Sequence, residues 1–136
     1  MSAADIADAL LARAATLSVG SPALPIAMPE MGFDPKVSAT DGKYLEVLIF
    51  FNRHAWVGLS AGALKQGLLQ VTVVWPPREG TVDAAAAAQE VIDHFKGQTM
   101  RSGSVTVKVT EEPSPSGPLT DDSELRVPVT IVWTAS

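Results

Sequence analysis

Alternating apolar and polar residues predict a half-buried β-strand from Gly67 to Trp75. Successive side chains of a strand point to opposite faces, so every second residue shares one face. The face predicted to be buried carries Leu69, Val71, Val73 and Trp75. Pro76 and Pro77 offer no N–H to a neighbouring strand, and the strand is therefore expected to end there.

A helical period follows this strand, from Val82 to Lys96. Its apolar positions recur at the three- and four-residue spacing of one helix face, and they are Ala85, Ala88, Ile92 and Phe95. Thr81 is expected to cap the amino end of the helix. Gly97 is expected to follow the carboxyl end, where a left-handed residue commonly closes a helix.

Further strands are predicted by the same alternation, from Lys43 to Asn52 and from Val105 to Thr110. A last strand has a buried face made of Leu125, Val127, Val129, Ile131 and Trp133. Pro128 points to the other side of this strand and removes one hydrogen-bond donor. This predicts that the strand lies at a sheet edge or carries a bulge. A short edge strand is predicted at Ile26 to Met28.

The remaining segments complete a predicted single domain, residues 1–136. Residues 1–18 form a predicted N-terminal helix with one apolar stripe, which consists of Ile6, Leu10, Ala14 and Leu17. Residues 53–66 are a glycine-containing loop long enough to be functional, and residues 111–124 are predicted to be a flexible acidic loop. The fold class predicted is α+β, with two helices packed on one face of a four- to five-stranded mixed or antiparallel sheet.

The formal net charge of −5, without a cluster of Lys or Arg, argues against specific binding of nucleic acid. The chain has no cysteine, which excludes disulfides and thiolate metal sites. Its longest apolar runs are too short to span a bilayer, and no secretory signal is visible. A soluble protein made in the cytoplasm, with no membrane partner, is expected.

Candidate catalytic chemistry is sparse. The segment Gly58 to Gly62 matches the nucleophile pattern of serine hydrolases, but that pattern needs a strand directly before Ser60 and a helix directly after it. A glycine-rich loop is expected instead. His94 follows Asp93 on a helix, so their side chains diverge by about 100° and cannot act as base and orienting acid. Two histidines without spaced acidic residues predict neither a metal site nor a cofactor.

Candidate interface residues are Arg53, His54 and Trp56, which lie in the predicted loop. Arg and Trp are the residue types that most often anchor interfaces, although a Trp buried at the end of the sheet is an equal alternative. Glu111 and Glu112, which begin the acidic loop, are further candidate interface residues.

A run of small side chains, Ala84 to Ala88, makes one part of the predicted helix smooth. Its backbone could approach another molecule closely. Packing of this helix on the sheet of the same chain explains the run more readily.

The order of these parts resembles the tail terminator proteins of long-tailed phages and of phage-like particles such as gene transfer agents. The resemblance covers most of the chain and depends on the order and spacing of the parts. They are a short N-terminal helix, the entry Pro25 to Pro29, a strand with Tyr44, Leu45 and Val47, the strand Gly67 to Val73, the turn Pro76 to Gly80, an Ala-rich helix ending in Phe95, and the strand Val127 to Trp133.

The resemblance implies a structural virion protein and not an enzyme: a subunit of a homo-hexameric ring at the head–tail junction. Such a ring caps the tail tube, ends its polymerisation and joins the tail to the neck. The implied partners are copies of the chain, the tail tube protein and a neck or head-completion protein, while DNA would pass through the ring. Another head–tail connector, neck or head-completion protein is one alternative. A small serine hydrolase using Ser60 is the alternative from another class.

Overall fold

The computed structural model describes residues 3–19, 24–28, 43–51, 65–76, 81–115, 119–120 and 124–135. The described residues form two helices, α1 (Ala3–Ala15) and α2 (Thr81–Phe95). The strands are β1 (Ile26–Ala27), β2 (Tyr44–Phe51), β3 (Lys65–Trp75), β4 (Thr99–Ser102), β5 (Val105–Val109), β6 (Ser114–Pro115), β7 (Leu119–Thr120) and β8 (Leu125–Ala135).

The strands form one mixed sheet with the order β1-β2-β3-β8-β5-β4. Only β1 and β2 are parallel among the described pairs, and the other pairs are antiparallel. The two-residue strands β6 and β7 also pair with β8. The α+β class and the mixed sheet are confirmed, but the predicted count of four to five strands is too low. The strands that were not predicted, β4, β6 and β7, have only two to four residues, and such short segments carry too little alternation to be recognised.

One side of the sheet, the inner face, and both helices enclose the core. Paired strands place apolar residues opposite one another there, as in the row of Val47, Val71 and Val129, all fully buried. Helix α1 packs on β4 and β5, while α2 packs on β3 and β8. Covering one face with helices leaves the opposite face of β2, β3 and β8 available for other contacts.

Helix α2 begins and ends one residue before the predicted bounds, and the predicted closing residue Gly97 follows with a left-handed φ of 67°. The predicted buried stripe is partly wrong, because Ala85 is exposed. The buried face consists of Ala84, Ala87, Ala88, Val91, Ile92 and Phe95. Within a run of alanines every helix face is equally apolar, so the period could not identify the buried one.

Helix α1 ends at Ala15, short of the predicted end at residue 18. The predicted apolar stripe is nevertheless confirmed, since Ile6, Leu10 and Ala14 are fully buried and Leu17 is nearly so. Leu17 reaches the core from a turn that follows the helix, where its N–H donates to the carbonyl of Ala14. A prediction based on apolar spacing alone therefore made the helix about one turn too long.

The prediction that β8 lies at an edge or carries a bulge is wrong. β8 pairs with β3 in unbroken register from Leu125 to Ala135, and β5, β6 and β7 lie along its other side. Pro128 is opposite Thr72, and no described strand pairs with it on the second side. A missing donor is tolerated in an interior strand at such a position.

The stretch 111–124, predicted as a flexible loop, contributes β6 and β7 to the sheet. Ser114 and Pro115 pair with Thr130 and Val129 of β8. The proline and serine content predicted a loop because it gives no sign of pairing with a strand already formed.

Candidate functional site

The outer face of the sheet, opposite the helices, is the candidate functional site. Its side chains alternate with those of the core along β2, β3 and β8. Direct pairing arranges them in rows across the three strands, and the rows are Tyr44–Val74–Arg126, Glu46–Thr72–Pro128, Leu48–Gln70–Thr130 and Phe50–Leu68–Val132. Charge is thus concentrated at one end of the face and apolar surface at the other.

Arg126 is the centre of the charged end. Its guanidinium donates to Glu46 on β2 at 2.8 Å and to Glu124 at 2.5 Å. Burial alone would lower the pKa of Arg126, but the hydrogen bonds to Glu124 and Glu46 outweigh it and raise that pKa. Burial and the charge of Glu124 raise the pKa of the neighbouring Tyr44. The guanidinium of Arg126 is therefore engaged by two carboxylates of its own subunit and offers no free positive charge to a partner.

We expect a double-mutant cycle of Arg126→Met and Glu46→Gln to give a coupling energy of about 1 kcal/mol in urea denaturation. The two side chains are only about 30% exposed (29% and 31%) and meet in a charge-assisted hydrogen bond, which supports such a value. The matched control is Lys96 with Glu112, whose side chains are 58% and 66% exposed. Their coupling should be below about 0.5 kcal/mol. Equal coupling energies would contradict this description of the charged end.

The apolar end of the outer face is an open groove of about 390 Å³. Phe50 is 48% exposed and Leu68 39%, and they lie side by side with Val132 in one row. A contiguous exposed patch with an aromatic side chain is typical of a surface that contacts another protein.

One basic side chain, Lys108, lies beside this groove, and Arg101 lies further out on the same face of the sheet. Lys108 on β5 is paired with Thr134, which is in turn paired with Gln66 at the groove. Arg101 on β4 lies diagonally beside Lys108 on the same face, and both are exposed. Neither forms a salt bridge with another described residue. The groove therefore combines an apolar floor with a positive margin.

The carboxyl ends of α1 and α2 are joined on the other layer. Arg13 donates to the carbonyl of His94 at 2.7 Å. The Thr16 hydroxyl donates to the carbonyl of Arg13 at 2.6 Å, so it can only accept from the His94 ring. Nε2 of His94 consequently carries the proton and lies 2.8 Å from Thr16 Oγ1 and 3.1 Å from the Arg13 carbonyl.

The His94 junction should make stability fall as the pH is lowered below about 6.5. Burial lowers the pKa of His94 and outweighs the hydrogen bond to the Arg13 carbonyl, which raises it, while the Arg13 charge lowers it further. The unfolded chain therefore binds a proton that the folded one resists. The stability contributed by the neutral ring is complete above the unfolded pKa and declines as the pH falls towards the folded one. Urea denaturation from about pH 7.5 to pH 5 should show a flatter decline for His94→Gln. Equal slopes would contradict this effect.

The residues proposed from the sequence are only partly located. Arg53, His54, Trp56 and Ser60 lie outside the described residues. Glu111 and Glu112 are exposed, and Glu112 forms an ion pair with Lys96 at 3.4 Å. As predicted, His94 is not paired with Asp93, which accepts a hydrogen bond from Gln89.

The groove was missed at the sequence level, although Leu48 and Phe50 made the second face of β2 visibly apolar. This face is covered only in part, because Tyr44 is buried whereas Leu48 and Phe50 are exposed. Within the described ranges, no group of His, Asp and Glu side chains could hold a metal ion. Neither described helix is long and apolar enough to cross a membrane.

The fold and this face define a small α+β protein in which the most distinctive exposed feature is an apolar contact surface. The sequence profile of phage tail terminator proteins matches residues 5–133. The chain belongs to the phage tail terminator protein family, a family of structural proteins, and has a structural role in a phage tail as a component of the virion.

One solved structure is similar over 100% of this chain and 96% of its own, with a TM-score of 0.79 and 28% identity. The name of that protein describes no function. No curated protein matches the chain.

Proposed function

We propose that this protein is a subunit of a homo-hexameric ring that caps the tail tube, ends its polymerisation and joins the tail to the neck. The match to the tail terminator family over residues 5–133 carries this proposal. It spans both helices and nearly the whole sheet, so the proposal applies to the entire described fold. The particle is a phage or a phage-like gene transfer agent, and the ring sits at the head–tail junction.

The surface of the subunit supports an assembled state. Phe50 and Leu68 expose apolar surface to water. Burying this surface against a neighbouring subunit would contribute roughly 25 cal/mol per Å² to the free energy of association. The net charge of −5 would repel DNA phosphates from the subunit, which suits passage of DNA without tight binding.

Tube growth in the presence of the purified protein tests the proposal. Tail tube protein is polymerised with increasing amounts of this chain, and tube lengths are measured by negative-stain electron microscopy. We expect tubes to stop growing and to carry one added ring at an end, with a hexamer detected by native mass spectrometry. Bovine serum albumin at the same concentration is the control.

Unlimited tube growth together with a strictly monomeric chain would overturn the proposal. Attachment next to the portal in a particle reconstruction, with no ring at the tube end, would instead identify a head-completion or connector protein. The labelled subunit in such a reconstruction therefore separates the two positions.

A further inference from the structure

Two exposed surfaces lie on opposite layers of the described part of the subunit. The first, the sheet patch, is formed by Phe50, Leu68 and Val132 with the basic margin of Lys108 and Arg101. Its apolar floor is a groove, and its exposed charges are positive.

The second surface, the helix patch, is the stripe of α2 that faces away from the core. Val82 at its start is 79% exposed, and Ala85 and Ala86 follow at helical spacing. Glu90 and Asp93 continue this stripe beyond Ala86 and are exposed, and Gln89 lies next to them and donates to Asp93 at 2.9 Å. This surface therefore joins small apolar side chains to a negative margin.

We infer that the helix patch of one copy docks into the sheet patch of the next copy. Small side chains at Ala85 and Ala86 let the helix backbone approach the apolar row closely, and the acidic margin would meet the basic one. The two patches differ in chemistry and lie on opposite layers. Contact between them is heterologous, which is the type of contact that closes into a ring when the rotation between copies permits.

Contact of two sheet patches with each other is disfavoured by the same charges. Such a pairing would bring Lys108 and Arg101 of both copies towards one apolar centre, and neither side chain is paired with a described carboxylate of its own subunit. It would also be isologous, and an isologous contact alone produces a dimer rather than a six-fold ring. The inference rests on the proposed ring and specifies the surfaces that would build it.

Chemical cross-linking tests the contact directly, because the chain has no cysteine of its own. Leu68→Cys marks the sheet patch, Ala86→Cys marks the helix patch, and Ala12→Cys on the exposed side of α1 is the control. With a short bis-maleimide reagent, we expect Leu68→Cys to cross-link with Ala86→Cys in a mixture, and neither variant to cross-link with itself. A chain carrying both changes should give a ladder of oligomers up to six.

Charge reversal supplies the second measurement. Lys108→Glu and Glu90→Lys should each weaken association about tenfold in analytical ultracentrifugation, because each places like charges at the contact. The chain with both reversals should regain most of the association, since opposite charges again meet. Circular dichroism would verify that every variant is folded.

Cross-linking of Leu68→Cys only with itself would overturn the inference in favour of an isologous contact. Loss of tube-end binding in Lys108→Glu with the hexamer intact would assign the sheet patch to the tube protein and also overturn it. A hexamer that stops tube growth and ignores both charge reversals would contradict this contact but leave the proposed function standing. Unlimited tube growth together with cross-linking between the two patches would support this contact but contradict the proposed function.

Discussion

Replacing Trp133 with alanine is expected to lower the free energy of unfolding by about 3–5 kcal/mol, the largest loss of any single substitution considered. Trp133 is fully buried on β8 and meets the Phe51 ring edge-on, with ring centroids 5.5 Å apart. Its removal would leave a cavity at the end of the core that the paired strands cannot collapse to fill. Urea denaturation followed by circular dichroism measures the loss.

Trp133→Phe is the matched control. The buried indole Nε1 of Trp133 has no hydrogen-bond partner among the described residues. Phenylalanine removes this unsatisfied donor while retaining an aromatic ring, so the expected loss is only about 1–2 kcal/mol. A loss as large as that of the alanine variant would show that the indole N–H forms a stabilising hydrogen bond that phenylalanine cannot replace.

Gly67→Ala is expected to cost about 2–3 kcal/mol, the second large effect. A Cβ atom at Gly67 would lie 2.1 Å from the carbonyl oxygen of Phe50 and 2.7 Å from Cζ2 of Trp133. The first of these atoms belongs to the backbone of the neighbouring strand, so β2 and β3 would have to separate. Urea denaturation gives the free energy, and amide hydrogen exchange should show faster opening along β2 and β3.

Gly103→Ala separates steric overlap from backbone conformation. Gly103 has a φ of 59°, and a Cβ added there would meet no atom within 4 Å. Only the left-handed conformation is penalised, at about 1 kcal/mol. A larger loss for Gly103→Ala than for Gly67→Ala would contradict the close approach of β2 and β3 as the reason for glycine at position 67.

The long elements were predictable because each has one buried face. Period-two alternation located β2, β3, β5 and β8, and β8 was recognised by Leu125, Val127 and Val129. The predictions that failed concern features that depend on which strands lie side by side in the sheet. Pro128 suggested an edge, but its missing donor faces a position that no described strand occupies, and this depends on how β6 and β7 are placed.

The candidate site was less predictable than the fold. Leu68 and Val132 are separated by more than sixty residues in the chain, and only the register between β3 and β8 places them side by side. A single strand gives no information on which strand will lie next to it. The sequence instead drew attention to Arg53 and Trp56, because interface-type residues in a loop are recognisable without a register.

The position of β8 in the sheet constrains when the subunit can become folded. β8 is synthesised after all the other strands described, yet it lies between β3 and β5 and pairs with both. Until residue 135 has left the ribosome, β3 is paired only with β2, and α2 lacks its contacts with β8. Contacts that join such distant parts of a chain form slowly. Subunits competent for assembly should therefore form only after this strand has been synthesised.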